Sequence, residues 1–150
     1  MKIAVLERNS VGTDIDVTCF EDFGEVTYYR NTVAADAAEK VKDVDIIIAN
    51  KAPMNEETLK DAPNVKLICE FATGFDNIDL EYCKKRRIKV ANVKDYSTAA
   101  VAQHTFALAL YLLEHLPHYD TYVKDGSYGA QDRFSNFDLP FTELAGKTWG

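Results

Sequence analysis

Short apolar runs alternate with more polar segments along the first part of the chain, and this alternation predicts how it folds. Five of the runs are too short for helices and have the composition of strands buried inside a parallel sheet. They are Lys2 to Leu6, Val26 to Tyr29, Asp45 to Ala49, Leu67 to Cys69 and Ile88 to Val93. Strands that alternate with short helices form βαβ units with right-handed crossovers. The pattern therefore predicts an α/β fold with a five-stranded parallel sheet and flanking helices.

Polar capping residues predict where the helices between these strands begin, and glycine or proline predicts where they end. The predicted segments are Asp14 or Asp16 to Phe23, Asn31 or Thr32 to Lys42, Asn55 to Leu59, and Leu80 to Arg87. With all five strands inside the first 93 residues, the expected arrangement is flavodoxin-like.

The pattern after residue 96 predicts one long apolar helix. Ser97 or Thr98 can cap it, and every residue from 106 to 113 is apolar or tyrosine. We expect the helix to continue to about Leu116. A helix that is apolar all round is expected to be buried on nearly all sides. Because a five-stranded domain can cover only one of its faces, another structure is needed to cover the rest.

The remaining residues show weaker patterns. Pro117 suits the first turn of a second helix, which we expect to run through Lys124 to Gly126. Residues 127–140 lack periodicity and are predicted to form a loop. Gly146 suits a turn, and the residues from Lys147 to Trp149 are typical of the start of a strand.

The stretch from Leu67 to Asp79 predicts a buried strand, a glycine loop and the start of a helix. Gly74 allows a sharp turn or a positive φ. The residues whose side chains can cap the following helix are Asp76, Asn77 and Asp79. Ligands bind beyond the carboxyl ends of parallel strands. The backbone amides of Thr73 and Gly74 therefore form either a carboxylate-binding site or an ordinary turn.

Charge and hydropathy exclude two classes of partner. The formal net charge of −7 argues against a broad nucleic-acid surface. No run of about 18 apolar residues is present, and the apolar run at the start is too short for a signal peptide. We therefore expect no nucleic acid and no membrane among the partners, and a cytoplasmic location.

Neither the histidines nor the cysteines form a recognisable catalytic or metal-binding motif. They stand at His104, His115 and His118, and at Cys19, Cys69 and Cys83. No histidine has a cysteine or glutamate at ligand spacing, and no C-x-x-C pair occurs. The glycine motifs of dinucleotide-binding folds, P-loops and serine hydrolases are also absent. The sequence thus predicts no metal site and no catalytic residue among these positions.

A series of motifs resembles the D-isomer-specific 2-hydroxyacid dehydrogenases over about 35 residues. The matching segments are Ala72 to Asp79, Asn92-Val93, Tyr96-Ser97 and Ala100 to Thr105. The last residues, Leu144 to Gly150, resemble the lead into that family's dinucleotide-binding strand. The resemblance implies a flavodoxin-like substrate domain over 1–96, an interdomain helix region over 97–126, and a loop with the start of a Rossmann domain over 127–150.

The same resemblance implies roles for individual residues. The Thr73 and Gly74 amides would bind the carboxylate of a small 2-hydroxy or 2-oxo acid. Tyr96 would lie near that substrate, and Lys51 would line the cleft, since Asn50-Lys51 is similar to glycerate and hydroxypyruvate reductases. The residues that would approach the nicotinamide of NAD or NADP are Val101 and Thr105. The cofactor is expected in the full-length enzyme and not on this chain alone.

The departures from the family pattern limit what the chain is expected to do alone. The family's glycine fingerprint, arginine, glutamate and general-acid histidine would all follow residue 150, and Gln103 stands where many members have glutamate. We therefore expect an inactive amino-terminal portion of an NAD-dependent D-2-hydroxyacid dehydrogenase. We also expect it to form a homo-oligomer, such as a dimer, through the apolar helix 98–116. The alternative is a non-catalytic small-acid-binding or assembly module.

Overall fold

The computed structural model describes all 150 residues. They form two compact units, Met1–Tyr96 and Ser97–Gly150. The first unit contains a five-stranded sheet. Its strands are β1 (Lys2–Val5), β2 (Glu25–Tyr28), β3 (Ile46–Ala49), β4 (Leu67–Glu70) and β5 (Lys89–Ala91). Every neighbouring pair is parallel. The predicted α/β fold with a five-stranded parallel sheet and flanking helices is therefore confirmed.

The strand order is β2-β1-β3-β4-β5. This order is that of flavodoxin-like sheets, with the topological switch between β1 and β3. The helices of this unit are α1 (Ala34–Val41), α2 (Glu56–Leu59) and α3 (Leu80–Lys85). Asn55 caps α2 as predicted, because its side chain accepts a hydrogen bond from the Thr58 amide. Asp79 caps α3 in the same way through the Tyr82 amide.

The predicted cap of α1 is wrong. The helix begins after Val33 and not at Asn31 or Thr32. The Thr32 hydroxyl donates instead to the Leu6 carbonyl oxygen, 2.5 Å away, and is therefore engaged with the end of β1. Asp36 compensates at the helix start by accepting a hydrogen bond from the Val33 amide at 2.9 Å.

The helix predicted from Asp14 or Asp16 is also only partly formed. It is a 3₁₀ helix over Thr18–Phe23, and Gly24 follows it as expected. Asp16 stays outside, where its carboxylate accepts hydrogen bonds from the Thr18 amide and hydroxyl at 2.8 and 2.7 Å. A local side-chain bond of this kind competes with the start of a regular helix.

Alternate residues of the central strands pack on opposite faces of the sheet. Ala4, Ile47 and Ile68 are fully buried on one face, in a cluster with residues of α1, α2 and α3. Ile3 and Ile48 are buried on the other face beside the aromatic rings of Phe20 and Phe71. Burial on both faces explains the continuous apolar runs of these strands, and it fixes their carboxyl ends, where the loops begin.

The second unit contains α4 (Thr98–Leu113), α5 (Leu116–Lys124) and α6 (Ser127–Ala130). The long helix thus ends earlier than predicted, because His115 adopts a left-handed conformation before Pro117 and α5. Part of the predicted loop after residue 126 is helical. The strand predicted at Lys147–Trp149 is not formed, since a strand needs a neighbouring strand to bond its backbone.

Within these 150 residues α4 is not buried, which agrees with the expectation that another structure is needed to cover its apolar surface. None of its residues is buried, and several of its large apolar side chains are at least 40% exposed. They are Val101, Phe106, Leu108, Leu110, Tyr111 and Leu112. Within the second unit, the Trp149 ring lies 4.6 Å from that of Phe106, and most of the helix surface remains open. None of the helices combines the length and the apolar character required to cross a bilayer.

Candidate functional site

The candidate site lies in the first unit, at the carboxyl edge of the parallel sheet. The chain leaves β1, β3, β4 and β5 at this edge, so the four following loops meet there. The loop after β3 contains Lys51, and the loop after β4 contains Thr73 and Gly74. The loop after β5 leads to Tyr96. These are the positions that the sequence analysis assigned to a substrate.

The Thr73–Gly74 segment is held by the loop after β5. The Thr73 hydroxyl donates to the Val93 carbonyl at 2.9 Å, and the Asn92 side-chain amide donates to the Thr73 carbonyl at 2.7 Å. The Val93 amide donates in turn to the Ala72 carbonyl at 3.0 Å. Thr73 and Gly74 are both exposed, and neither backbone amide donates to an acceptor in the chain. Two fixed N–H groups are therefore free to bind an external acceptor.

The backbone conformation at position 74 does not require a glycine. Its φ is not positive, so of the two expected alternatives, a sharp turn or a positive φ, the second is not adopted. A Cβ atom built there would meet only the Asp76 carboxylate, at an ordinary contact distance of 3.7 Å. The position therefore has open space that the methyl group of an alanine could occupy.

The Lys51 loop is fixed by an acid that the sequence analysis did not assign to the site. The Glu7 carboxylate, at the end of β1, accepts hydrogen bonds from the Asn50 amide at 2.6 Å and from the Lys51 amide at 2.9 Å. Glu7 is only 7% exposed. The Lys51 residue itself is exposed and makes no ion pair, so its ammonium group is available to an anion.

Glu70 is a second buried acid beneath these loops. It ends β4 and is 2% exposed. Its Oε2 atom accepts a hydrogen bond from the Asn77 side-chain amide at 3.3 Å, whereas its Oε1 atom has no partner. Burial raises the pKa of Glu70 to about 7; the Asn77 hydrogen bond opposes this rise, the Glu7 carboxylate adds to it, and the Lys51 ammonium opposes it. The sequence feature that could have identified Glu70 is an acidic residue placed between a buried apolar run and a glycine loop.

Backbone hydrogen bonds join the Lys51 loop to the Thr73–Gly74 loop. The Met54 amide donates to the Asn77 carbonyl at 2.8 Å, and the Asp79 amide donates to the Met54 carbonyl at 2.9 Å. Met54 thereby forms a parallel bridge with Ile78. We call Met54, Asn77, Ile78 and Asp79 the loop junction. It makes the two loops one structural element.

The other predicted site residues are less constrained. Tyr96 ends the first unit and is 64% exposed. Val101 and Thr105 belong to the second unit, on the first turns of α4. Val101 is exposed, and the Thr105 hydroxyl donates to the Val101 carbonyl at 2.8 Å. The structure thus groups Lys51 with Thr73 and Gly74, while Val101 and Thr105 form a separate pair.

Comparison with known proteins identifies a matching family. The sequence model described as "D-isomer specific 2-hydroxyacid dehydrogenase, catalytic domain" matches residues 3–144, which is almost the whole chain. This match agrees with the motif series at residues 72–105.

Individual relatives support the same assignment. The chain is 34% identical to a hydroxypyruvate reductase of Blautia hydrogenotrophica over 154 residues of alignment, with 100% of this chain and 48% of the relative covered. It is 32% identical to a glycerate dehydrogenase of Methylorubrum extorquens, with 99% and 47% covered. The chain therefore spans about half the length of the curated relatives that it matches.

A solved structure shares the fold. D-Lactate dehydrogenase from Aquifex aeolicus, complexed with NAD and lactic acid, superposes with a TM-score of 0.73 at 29% identity. The superposition covers 96% of this chain and 41% of that one.

Proposed function

Because the chain belongs to the D-isomer specific 2-hydroxyacid dehydrogenase family, we propose that residues 1–96 are the substrate domain of an NAD-dependent D-2-hydroxyacid dehydrogenase. The reaction is hydride transfer between a nicotinamide and C2 of a small 2-oxo or 2-hydroxy acid. One observation carries the proposal for this chain. The free amides of Thr73 and Gly74 stand fixed and exposed at the carboxyl edge of the sheet.

The arrangement at this edge suits the carboxylate of the substrate. Backbone N–H groups that bond an ionised acceptor form charge-assisted hydrogen bonds, which are stronger than neutral ones. The Thr73 side chain and Asn92 fix these groups before the ligand arrives, so little ordering entropy is lost on binding. The Lys51 ammonium adds a positive charge on the neighbouring loop, and Tyr96 stands at the end of the unit for contact with the rest of the acid.

The second unit supplies the cofactor side of the proposal. We assign residues 97–126 to the interdomain helix region and 127–150 to a loop and the start of a Rossmann domain. The exposed Val101 side chain offers an apolar surface that suits the face of a nicotinamide ring, and the Thr105 hydroxyl lies one helical turn further on. NAD or NADP would supply the hydride. The exposed apolar face of α4 suits coverage by a nucleotide-binding domain.

The names of the relatives narrow the substrate class. Hydroxypyruvate, glycerate and lactate are all three-carbon acids. Glyoxylate, the two-carbon acid named for a relative of Pyrococcus furiosus, belongs to the same class. We therefore propose a short 2-oxo acid, such as hydroxypyruvate or glyoxylate, as the substrate. The relatives are about twice as long as these 150 residues, and no residue of this chain is assigned a proton-transfer role. We accordingly propose that these 150 residues bind the acid without turning it over.

One observation also favours the second candidate, a non-catalytic acid-binding or assembly module. The free amides and Lys51 all belong to the first unit, so binding of an acid needs nothing from a second domain. The two candidates differ in what a nucleotide-binding domain adds. The nucleotide-binding half of a relative can be fused to this chain or co-expressed with it. This addition is expected to give turnover only if the chain is part of an enzyme.

The first prediction concerns binding without catalysis. Titration of the ¹⁵N-labelled chain with glyoxylate or hydroxypyruvate is expected to shift the Thr73 and Gly74 amide resonances, since these groups gain an anionic acceptor. NADH absorbance in the presence of the same acids is expected to stay constant. Glycolaldehyde, which lacks the carboxylate, serves as the matched control ligand. Equal shifts with both ligands would contradict a carboxylate site. Steady NADH oxidation would contradict the proposal that these 150 residues bind the acid without turning it over.

The second prediction uses the open space at Gly74. Gly74→Ala is expected to change the free energy of unfolding by less than about 1 kcal/mol, because φ is not positive and the new Cβ meets only the Asp76 carboxylate. The same methyl group is expected to weaken glyoxylate binding about tenfold or more, by obstructing the free amides. Gly129→Ala is the control, since its Cβ meets nothing within 4 Å. Unchanged affinity in the Gly74 variant would remove these amides from the site.

The third prediction concerns self-association. We propose that the chain forms homo-oligomers through residues 98–116, because the exposed apolar side chains of α4 lose contact with water on association. Light scattering is expected to show a mass above that of the monomer, and Leu108→Glu with Leu112→Glu is expected to restore the monomer. Gln103→Glu adds one such carboxylate at a polar position of this helix and should leave the mass unchanged. A wild-type monomer at high concentration would refute the interface.

A further inference from the structure

Glu70 has an environment that the proposed function leaves unexplained. A carboxyl group that is 2% exposed, with one oxygen atom lacking any partner, is costly to a fold. It stands on β4, immediately before the loop that carries Thr73 and Gly74. An apolar side chain at this position would fill the same space without an unbonded oxygen atom. Packing of the core therefore does not explain why position 70 is a glutamate.

The Asn77 side chain connects this acid to the Lys51 loop. Its Nδ2 group donates to the Glu70 carboxylate at 3.3 Å and to the Ala52 carbonyl at 3.0 Å. The two donor hydrogens of one amide group thus bridge β4 and the loop after β3. The backbone of Asn77 belongs to the loop junction, where its carbonyl accepts from the Met54 amide. The orientation of the Asn77 side chain is therefore set by the Ala52 carbonyl and the Glu70 carboxyl group together.

The charged groups around Glu70 oppose one another. The Glu7 carboxylate comes from the end of β1 and repels a negative charge on Glu70, whereas the Lys51 ammonium on the loop after β3 attracts it. Ionisation of Glu70 places a second negative charge beside Glu7 in a poorly hydrated space. Opening of the loop junction would admit water to both carboxylates. Neutral Glu70 therefore favours the closed junction, and ionised Glu70 favours the open one.

We propose that Glu70 is a positioning residue: its buried neutral carboxyl group, held by Asn77, keeps the Lys51 loop against the Thr73–Gly74 loop, and its ionisation opens the loop junction. Ionisation strengthens the hydrogen bond from Asn77, but the cost of a buried charge beside Glu7 outweighs this gain, and opening relieves it. The inference deepens the proposed function, because these two loops are the ones assigned to the substrate acid. Glu70 itself does not contact the ligand. It controls whether the cationic side chain and the two free amides face one acid together.

Hydrogen exchange of the 150-residue chain tests the inference without any ligand. The Met54 and Asp79 amides bond across the loop junction, so their protection reports its opening. Their protection factors are expected to fall about tenfold between pH 6 and pH 8. The protection should depend little on low urea concentrations, because a local opening of the loop junction exposes less surface than global unfolding. Glu70→Gln, which keeps the size and an acceptor oxygen, is expected to abolish this pH dependence. Glu81→Gln removes an exposed acid on α3 and should retain it.

Two outcomes would overturn the inference: constant protection of both amides from pH 6 to pH 8 in the wild type, or an equal fall in Glu70→Gln. If Glu70→Gln does not fold, Asn77→Ala provides the second test. It removes the connection to Ala52 and is expected to give low protection at both pH values. Retention of the wild-type fall in this variant would also overturn the inference.

Glyoxylate titration at the two pH values separates this inference from the proposed function. Affinity in the wild type is expected to fall from pH 6 to pH 8 more steeply than in Glu70→Gln. Binding with the same pH profile in both proteins would sink the role of Glu70 and leave the carboxylate site standing. A pH-dependent fall in the protection of the Met54 and Asp79 amides, with no glyoxylate binding at either pH, would support the role of Glu70 and contradict the carboxylate site.

Discussion

Raising the pH from 5 to 8 is expected to lower the free energy of unfolding by about 2 to 3 kcal/mol, and Glu70→Gln is expected to remove most of this loss. The folded-state pKa of Glu70 is about 7, above the ordinary glutamate value of 4.5. The folded chain therefore keeps a proton that the unfolded chain has released. Stability is fully present below the unfolded pKa and is lost as the pH rises through the folded one.

Urea unfolding at pH 5, 6, 7 and 8 measures this effect. The other carboxyls with shifted pKa values do not interfere, because hydrogen bonds lower those pKa values and confine their contributions to more acidic solutions. They are Asp16, Asp36, Asp45 and Asp125. Glu81→Gln is the matched control and should follow the wild-type curve. Parallel curves for wild type and Glu70→Gln would show that Glu70 is ionised in the folded chain at pH 5.

Glu7→Ala is expected to lower the free energy of unfolding by about 2 to 4 kcal/mol at pH 6. The variant loses a buried carboxylate that accepts hydrogen bonds from two backbone amides, those of Asn50 and Lys51. Hydrogen bonds to a charged group contribute about 1.5 to 3 kcal/mol each, and amides left without an acceptor add a desolvation cost.

Urea unfolding checks this value, and chemical shifts of the Asn50 and Lys51 amides locate the change. Glu7→Gln keeps one acceptor oxygen and is expected to lose less than the alanine variant. Glu39→Ala removes an exposed acid from α1 and should cost little. A loss below about 1 kcal/mol in Glu7→Ala would mean that water replaces the carboxylate at the two amides.

The strands were predictable because their apolar runs reflect burial on both faces of a parallel sheet. The caps Asn55 and Asp79 were predictable because capping is a local interaction. Thr32 was misassigned because its hydroxyl bonds to Leu6, which is distant in the sequence. The apolar pattern of α4 predicted its helical state, but burial depends on a covering surface that these residues do not provide.

The candidate site shows the same division between local and distant effects. The glycine loop at Thr73 and Gly74 was visible from residue types and spacing. Glu7 and Glu70 were not assigned to it, because only the order of β1, β3 and β4 brings these acids beneath the same loops. Their partners, the Asn50 and Lys51 amides and the Asn77 side chain, are also distant or separated by a turn.

The loop junction has an evolutionary consequence, because it is built largely from main-chain hydrogen bonds. Every residue type except proline supplies the same N–H and C=O groups. Exposed side chains between Gly74 and Asn77, such as Phe75, can therefore be exchanged without moving the free amides of Thr73 and Gly74. In the proposed site, single substitutions there would change the preference for the non-carboxylate end of an acid and leave recognition of the carboxylate unchanged.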